Sequence, residues 1–405
     1  MRSATDRLTR AARRRTAEQT RRGGVLVLAA ALLVALFAFA AFVVDVGYIT
    51  LTRAELSKTA DGSALAAANE LVDAYGTGAL VTQAGGAANG RLAAQQVAHA
   101  NEAGGLQSTV IDTARDVRFG RYLWDGDAGE WTKVWDQQPY NLAEVSLRRD
   151  VINDGVPSSS GDGPLDLFFA PVIGSKRAGT SITSTAALLP AVGFKIEANS
   201  GLNIGILPIA LDVETWTNLI DHNIGDDEFT FNTQTGAVTA GGDGIREVSL
   251  YPTGSNLLPP GNRGTVDIGP MNNSTADISR QILYGINQSD LDSLKAQGVE
   301  LRWDNGPIVL NGDTGLSAGI KDELEAIKGQ PRAIPIFSQV SGPGNNAMYT
   351  IVKFVGVRIM FVQLTGKPTS KRVVIQPAPM TDPSFVTGTA EIRADTMFGP
   401  ASLVP

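Results

Sequence analysis

The chain has 405 residues, no cysteine, two histidines (His99 and His222) and a formal net charge of −7. The missing cysteine excludes a disulfide scaffold, a thiolate metal site and a cysteine nucleophile, and two histidines 123 positions apart leave little for imidazole chemistry. The charge divides into three blocks: eight arginines against Asp6 and Glu18 in residues 1–22, no charge in 23–44, and an acidic remainder of 26 basic and 39 acidic groups.

The neutral block holds a continuous apolar run, Val25–Val44, of thirteen Val, Leu or Phe and seven Ala. Twenty helical residues rise about 30 Å, the thickness of a bilayer's hydrocarbon core. Insertion of thirteen such side chains is worth up to about −4 to −8 kcal/mol. The preceding arginines, against Arg53 alone just after the run, predict a cytoplasmic N-terminus and an external body. Three other readings stand beside this signal-anchor: a cleaved signal with Ala38-Phe39-Ala40 as its small-x-small site, a twin-arginine signal at 20–26, and a buried core helix. The arginines read as a topology determinant rather than a nucleic-acid arm.

Past the run, Leu56, Ala60, Ala64, Ala67, Leu71 and Ala74 fall on one helical stripe, and no proline occurs before Pro139. One helix is therefore expected to continue from the membrane to about residue 74. A second alanine-rich stretch, 86–103, repeats the pattern with Ala87, Gly90, Ala94 and Val97. A reversal between Gly76 and Gly86 makes a helical hairpin that packs closely because its facing residues are small.

The stretch 21–68 resembles the N-terminal module of Tad (tight adherence) pilus-assembly proteins of the TadE/TadG-like group. The resemblance rests on arginine–glycine, an apolar span, Asp-x-Gly-Tyr at its outer edge (Asp45, Gly47, Tyr48) and a later Leu-x-x-x-Ala-Asp before an alanine run (Leu56, Ala60, Asp61, Ala64, Ala66, Ala67). It covers about 48 of 405 residues. TadE-type pseudopilins have a glutamate shortly after the glycine, read by prepilin peptidase. Here Val25 to Leu28 follow Gly23 and Gly24, so the uncleaved TadG-type anchor fits better. Many TadG-like proteins also carry a von Willebrand A domain with Asp-x-Ser-x-Ser; Asp61-Gly62-Ser63-Ala64-Leu65 departs from it, and that metal site is not carried over.

Beyond residue 110 the texture is β-rich. Residues 116–135 read as two strands around the turn Asp125–Gly129, and 141–150 and 180–188 as further strands. Residues 158–172 read as a loop followed by an apolar strand or short helix. The acidic stretch after 216 places Asp221, Asp226, Asp227 and Glu228 together as weak candidates for a cation, against an ordinary solvated loop. Residues 275–287, 289–298 and 317–330 read as helices, with Ser289 an N-cap and Gly298 and Gly329 near C-termini. The run 347–367 is nearly all β-branched and aromatic. With 371–378, joined by the 366–370 turn, it forms a hairpin apolar on both faces and so central in a sheet. The loop 341–346 that precedes it is a turn.

The expected fold is α+β: a transmembrane helix and helical hairpin, then a β-rich, mainly antiparallel external body. The expected segments are 1–22 (basic tail), 23–44 (span), 45–110 (alanine-rich helices), 111–190 (β-rich) and 191–405 (mixed). No phosphate loop, nucleophile elbow or His–carboxylate pair occurs, so neither enzyme chemistry nor a cofactor is expected. The resemblance implies a component of a Tad/Flp-type pilus or related envelope apparatus. It would sit in the inner (cytoplasmic) membrane with a periplasmic body, contacting lipid and other pilus or secretion subunits and serving cell adhesion. An anchored ligand- or ion-binding module or enzyme, or a surface adhesin, remains the alternative.

Overall fold

In the computed structural model the apolar run and the alanine stripe as far as Ala67 form one helix, because no proline interrupts residues 5–69. The structure describes residues 5–150, 161–197, 200–251, 264–270, 274–313, 316–342, 344–367 and 370–405. The serine-rich start of the 158–172 loop, Pro343 of the 341–346 turn and Pro368–Thr369 of the 366–370 turn lie outside these residues. In chain order the main elements are α1 (Thr5–Asn69), α2 (Gln83–His99), β1 (Val117–Asp125), β2 (Glu130–Trp135), β3 (Leu142–Arg149), β4 (Thr180–Ala187), β5 (Ile209–Asp212), α3 (Val213–Asp221), β6 (Gly264–Val266), α4 (Thr275–Tyr284), α5 (Gln288–Ala296), β7 (Ile308–Asp313), α6 (Lys321–Ala326), β8 (Pro331–Ser341), β9 (Ala347–Gln363) and β10 (Arg372–Pro377).

The chain divides into two compact units: residues 1–60, 98–111 and 146–183 in the first, and 61–97, 112–145 and 184–405 in the second. The first contains most of α1. Its most apolar window is long enough to cross a membrane and is 0% buried among the described residues, unlike the mostly buried core helix of a soluble protein.

In the second unit the end of α1 and α2 form the expected hairpin. The helix stops at Asn69 and a 3-10 turn, Val72–Ala74, carries the stripe to its end. All six stripe residues are buried. The small residues are needed for space: a Cβ on Gly90 would come within 2.9 Å of the Ala67 carbonyl oxygen, and one on Gly62 within 3.2 Å of Val97. The hairpin is thus held by backbone approach rather than by large side chains.

In the same unit β1 pairs with β2 and with the first half of β3, and Ser402–Leu403 pairs with the end of β4. The β1–β2 hairpin turns where expected, and Asp125 Oδ1 accepts the Asp127 and Ala128 N–H groups within the turn. Downstream, five strands pair in the cycle β9–β7–β6–β5–β8 and back to β9, closing a ring. Every pairing in it is antiparallel except β5–β8. The strand β10 extends the sheet from β9, so β9 is central, as its two-faced apolar character predicts, with β10 beside it.

Two apolar clusters flank these strands. One draws on all five ring strands through Ala210, Val266, Leu310, Phe337 and Tyr349. The other lines the opposite face with Leu211, Ile336 and Val357, capped by Trp216 of α3, Ile282 of α4 and Leu324 of α6. Tyr349 and Ile351 belong to the first cluster, yet Val355 and Val357, of the same parity, belong to the second. The switch lies where Ile336 pairs with Lys353 but Phe337 with Ile351, so Val352 is an inserted residue. A one-residue bulge turns every later side chain to the other face.

One helix start differs from expectation. The N-cap of α5 is Asn287, not Ser289: its side chain accepts the Asp290 N–H, and Asp290 accepts the Asn287 N–H in return. Arg280 also donates to both Asp290 oxygens, which fixes Asp290 as the reciprocal partner and so selects Asn287.

Candidate functional site

Four residues on one face of α1, just past the apolar run, organise the first unit. Asp45, Tyr48, Thr52 and Glu55 are spaced three, four and three apart, so their side chains stack along the helix. Asp45 is buried. Its carboxylate accepts the backbone N–H groups of Phe168 (2.8 Å), Phe169 (3.0 Å) and Ala170 (2.6 Å). Burial pushes this carboxyl up, but the three N–H donors outweigh it and hold it below the usual carboxylate range. The Tyr48 ring stands edge-on to Phe168 at 5.3 Å.

The same face seats a second loop at Gly104. The Tyr48 hydroxyl donates to the Gly104 carbonyl (2.8 Å), and Glu55 accepts the Gly104 N–H (2.9 Å). Gly104 has φ +59, and a Cβ there would meet Thr52, Arg149 and Leu165, all at 2.9 Å or less. Arg149, at the end of β3, completes the arrangement. It donates to the carbonyls of Ala103 (2.9 Å), Gly104 (3.0 Å) and Gly163 (2.9 Å). Its burial pulls the guanidinium below its ordinary value, against the pull of Tyr48, Asp166 and Asp162. Two carboxylates, Asp45 and Glu55, thus tie residues 168–170 and Gly104 to the helix, and one cation, Arg149, ties residues 103–104 to Gly163, all by charge-assisted bonds, the stronger class. This chemistry positions backbone.

The acidic candidates lie in the second unit, and the structure engages them individually. Asp221, at the end of α3, accepts from Arg393 (3.3 Å). Asp226 forms a backbone bridge with Glu247, Asp227 accepts the Asp243 N–H (2.9 Å), and Glu228 pairs with Arg372. Among the described residues no group of three or more His, Asp or Glu is arranged to hold a metal ion.

Glu247, which the sequence reading passed over, organises this loop. It is 1% exposed and accepts the N–H groups of Glu228 (3.0 Å) and Phe229 (3.1 Å). Burial, with Asp243 and Asp227 adding to it against those two N–H donors, raises its carboxyl from 4.5 to about 7. The folded state therefore keeps a proton that the unfolded chain releases. The resulting stability is fully present below pH 4.5 and is lost as pH rises through about 7. Glu247→Gln is expected to flatten that part of the stability profile, read as denaturant midpoints from about pH 5 to about pH 8. An unchanged slope in the variant contradicts the assignment.

The helix face that seats these loops lies inside a recognisable stretch. Residues 23–70 match the Tad family, described as putative Flp pilus-assembly TadE/G-like. No curated protein and no solved structure matches the chain. The Tad match contains the whole apolar run together with Asp45, Gly47, Tyr48, Thr52 and Glu55. The Tad module is therefore an apolar helix long enough to span a bilayer, continued by a polar face that binds loops from the rest of the chain. Sequence reading found Asp45 and Tyr48 as a motif. The partners, 56 to 125 positions away, carried no local signal.

Proposed function

We propose that this chain is a membrane-anchored component of a Tad/Flp-type pilus assembly or a related envelope apparatus, acting by protein–protein interaction and not by catalysis. The observation that carries this reading is the Tad match at residues 23–70, on an apolar helix whose side chains are left uncovered. In this reading α1 crosses the inner (cytoplasmic) membrane with its arginine-rich end in the cytoplasm and the body outside, as the charge distribution favours.

Gly47 adds support. Its motif neighbours Asp45 and Tyr48 are explained by contacts within the chain, but nothing lies within 4 Å of a Cβ built at Gly47. A mid-helix glycine costs roughly 1 kcal/mol against alanine. An exposed one with no internal use suits close approach by a helix of another subunit.

The test places a photo-crosslinking amino acid at Gly47 in native membranes. Discrete adducts with other pilus-apparatus subunits are expected, together with loss of Flp-type pili when the chain is deleted. Deletion that leaves piliation and adhesion intact removes the reading.

A further inference from the structure

We propose that the loop around Phe168–Val172 is a second membrane contact, inserting its apolar tip among the acyl chains beside the span. The proposal rests on the reading that Val25–Val44 lies in lipid, and it adds a lipid-binding surface outside that helix.

Three observations carry it. The first is height. Asp45 follows the last apolar residue and binds the loop backbone directly, so the loop starts at the edge of the hydrocarbon layer. From there a groove of about 950 Å³ runs along α1 down to Phe37, walled on its other side by Phe169 and Val172. Eight helical residues correspond to about 12 Å of depth. Arg21 and Arg22 fix the inner end of the span, so these outer two turns cannot be lifted clear of the bilayer without drawing arginines into it.

The second is chemistry. Phe168, Phe169 and Val172 are 64%, 46% and 89% exposed, a concentration of apolar surface in one short loop. The base of that loop is polar: Leu165–Asp166 pairs with Arg177–Ala178, and Arg177 bonds Asp166 at 2.8 Å. Apolar tip and charged base match the gradient from acyl chains to headgroups.

The third is the backbone. Irregular chain at membrane depth is tolerated only when its polar groups are already paired. Here Asp45 takes the N–H groups of Phe168, Phe169 and Ala170. Leu167, Val172, Gly174 and Ser175 donate to carbonyls of the same loop, and Pro171 has no N–H to satisfy. This gives the carboxylate buried at the rim of an apolar span a role: it satisfies three of the loop's backbone N–H groups, which water would otherwise have to meet.

The test uses the full chain, which has no native cysteine, in vesicles of phosphatidylethanolamine and phosphatidylglycerol. Single-cysteine variants Val172→Cys, Leu33→Cys and Val309→Cys report the loop, the span and the aqueous surface. Val172 is exposed in the structure, so its replacement leaves the packing intact. Modification of Val172→Cys by a membrane-impermeant maleimide is expected to be about tenfold or more slower than that of Val309→Cys. A fluorophore at Val172 should also be quenched by spin labels on the acyl chains. Equal rates at Val172 and Val309, with Leu33 protected, overturn the loop proposal alone. Protection of Val172 that needs other membrane proteins and is absent in pure lipid also overturns it, in favour of a partner helix in the groove. A reactive Leu33 overturns the membrane anchor, and the proposal with it.

Discussion

Gly104→Val is expected to release residues 98–111 from α1 and to lower the stability of the first unit by roughly 2–5 kcal/mol. Two penalties combine. The φ of +59 is left-handed, where a β-branched residue is strained by roughly 1–3 kcal/mol. The added carbons also have no room: a Cβ alone would lie 2.7 Å from the Arg149 Nη1 and Leu165 Cδ2 atoms and 2.9 Å from Thr52 Cγ2. Relief by moving Arg149 sacrifices its bonds to Ala103, Gly104 and Gly163. The measurement is amide exchange across 98–111 and 161–178 in the full chain. Gly105→Ala is the control. Gly105 has φ +78, but its nearest neighbour would be the Tyr48 hydroxyl at 3.5 Å, so only backbone strain of about 1 kcal/mol is expected. Equal effects of the two variants would contradict the steric account.

The second large effect is expected at Trp216. This residue is 1% exposed, packs among the apolar side chains between α3 and the strands, and donates its indole N–H to Asp395 at 2.7 Å. Trp216→Ala leaves a large cavity and should cost about 3–5 kcal/mol. It also strips a donor from Asp395, whose other partner is Lys353. Trp216→Phe retains most of the packing and loses the hydrogen bond, so about 1–2 kcal/mol is expected. Denaturant midpoints that rank alanine well below phenylalanine support packing as the main term. Equal midpoints would assign the stability to the Asp395 network instead.

Where one element's own pattern decided the outcome, the sequence was sufficient. Twenty uncharged apolar residues specify a helix of bilayer length. The three-and-four spacing of Leu56, Ala60, Ala64, Ala67, Leu71 and Ala74 specifies its buried stripe, and all six are buried. The continuous β-branched run at 347–363 specified a strand covered on both faces. Local competition was harder to read. Asn287 and Ser289 both fit a cap, and Arg280, from another helix, settled it by holding Asp290.

Long-range pairing was not written in any local period. The ring closes because β5 lies parallel to β8, pairing Leu211 with Ile336 across 125 residues. The Val352 bulge, which alternation alone misplaces, is what lets β9 serve both apolar clusters. Asp45 was visible as a motif residue at the end of the span, while its three N–H partners lay 123 to 125 positions ahead. The physical reason is common to these cases. Periodicity records which face of an element avoids water, a property of neighbours in the chain. Which distant backbone completes a ladder or meets a carboxylate depends on how loops close and surfaces fit, and that is fixed only when the chain has folded.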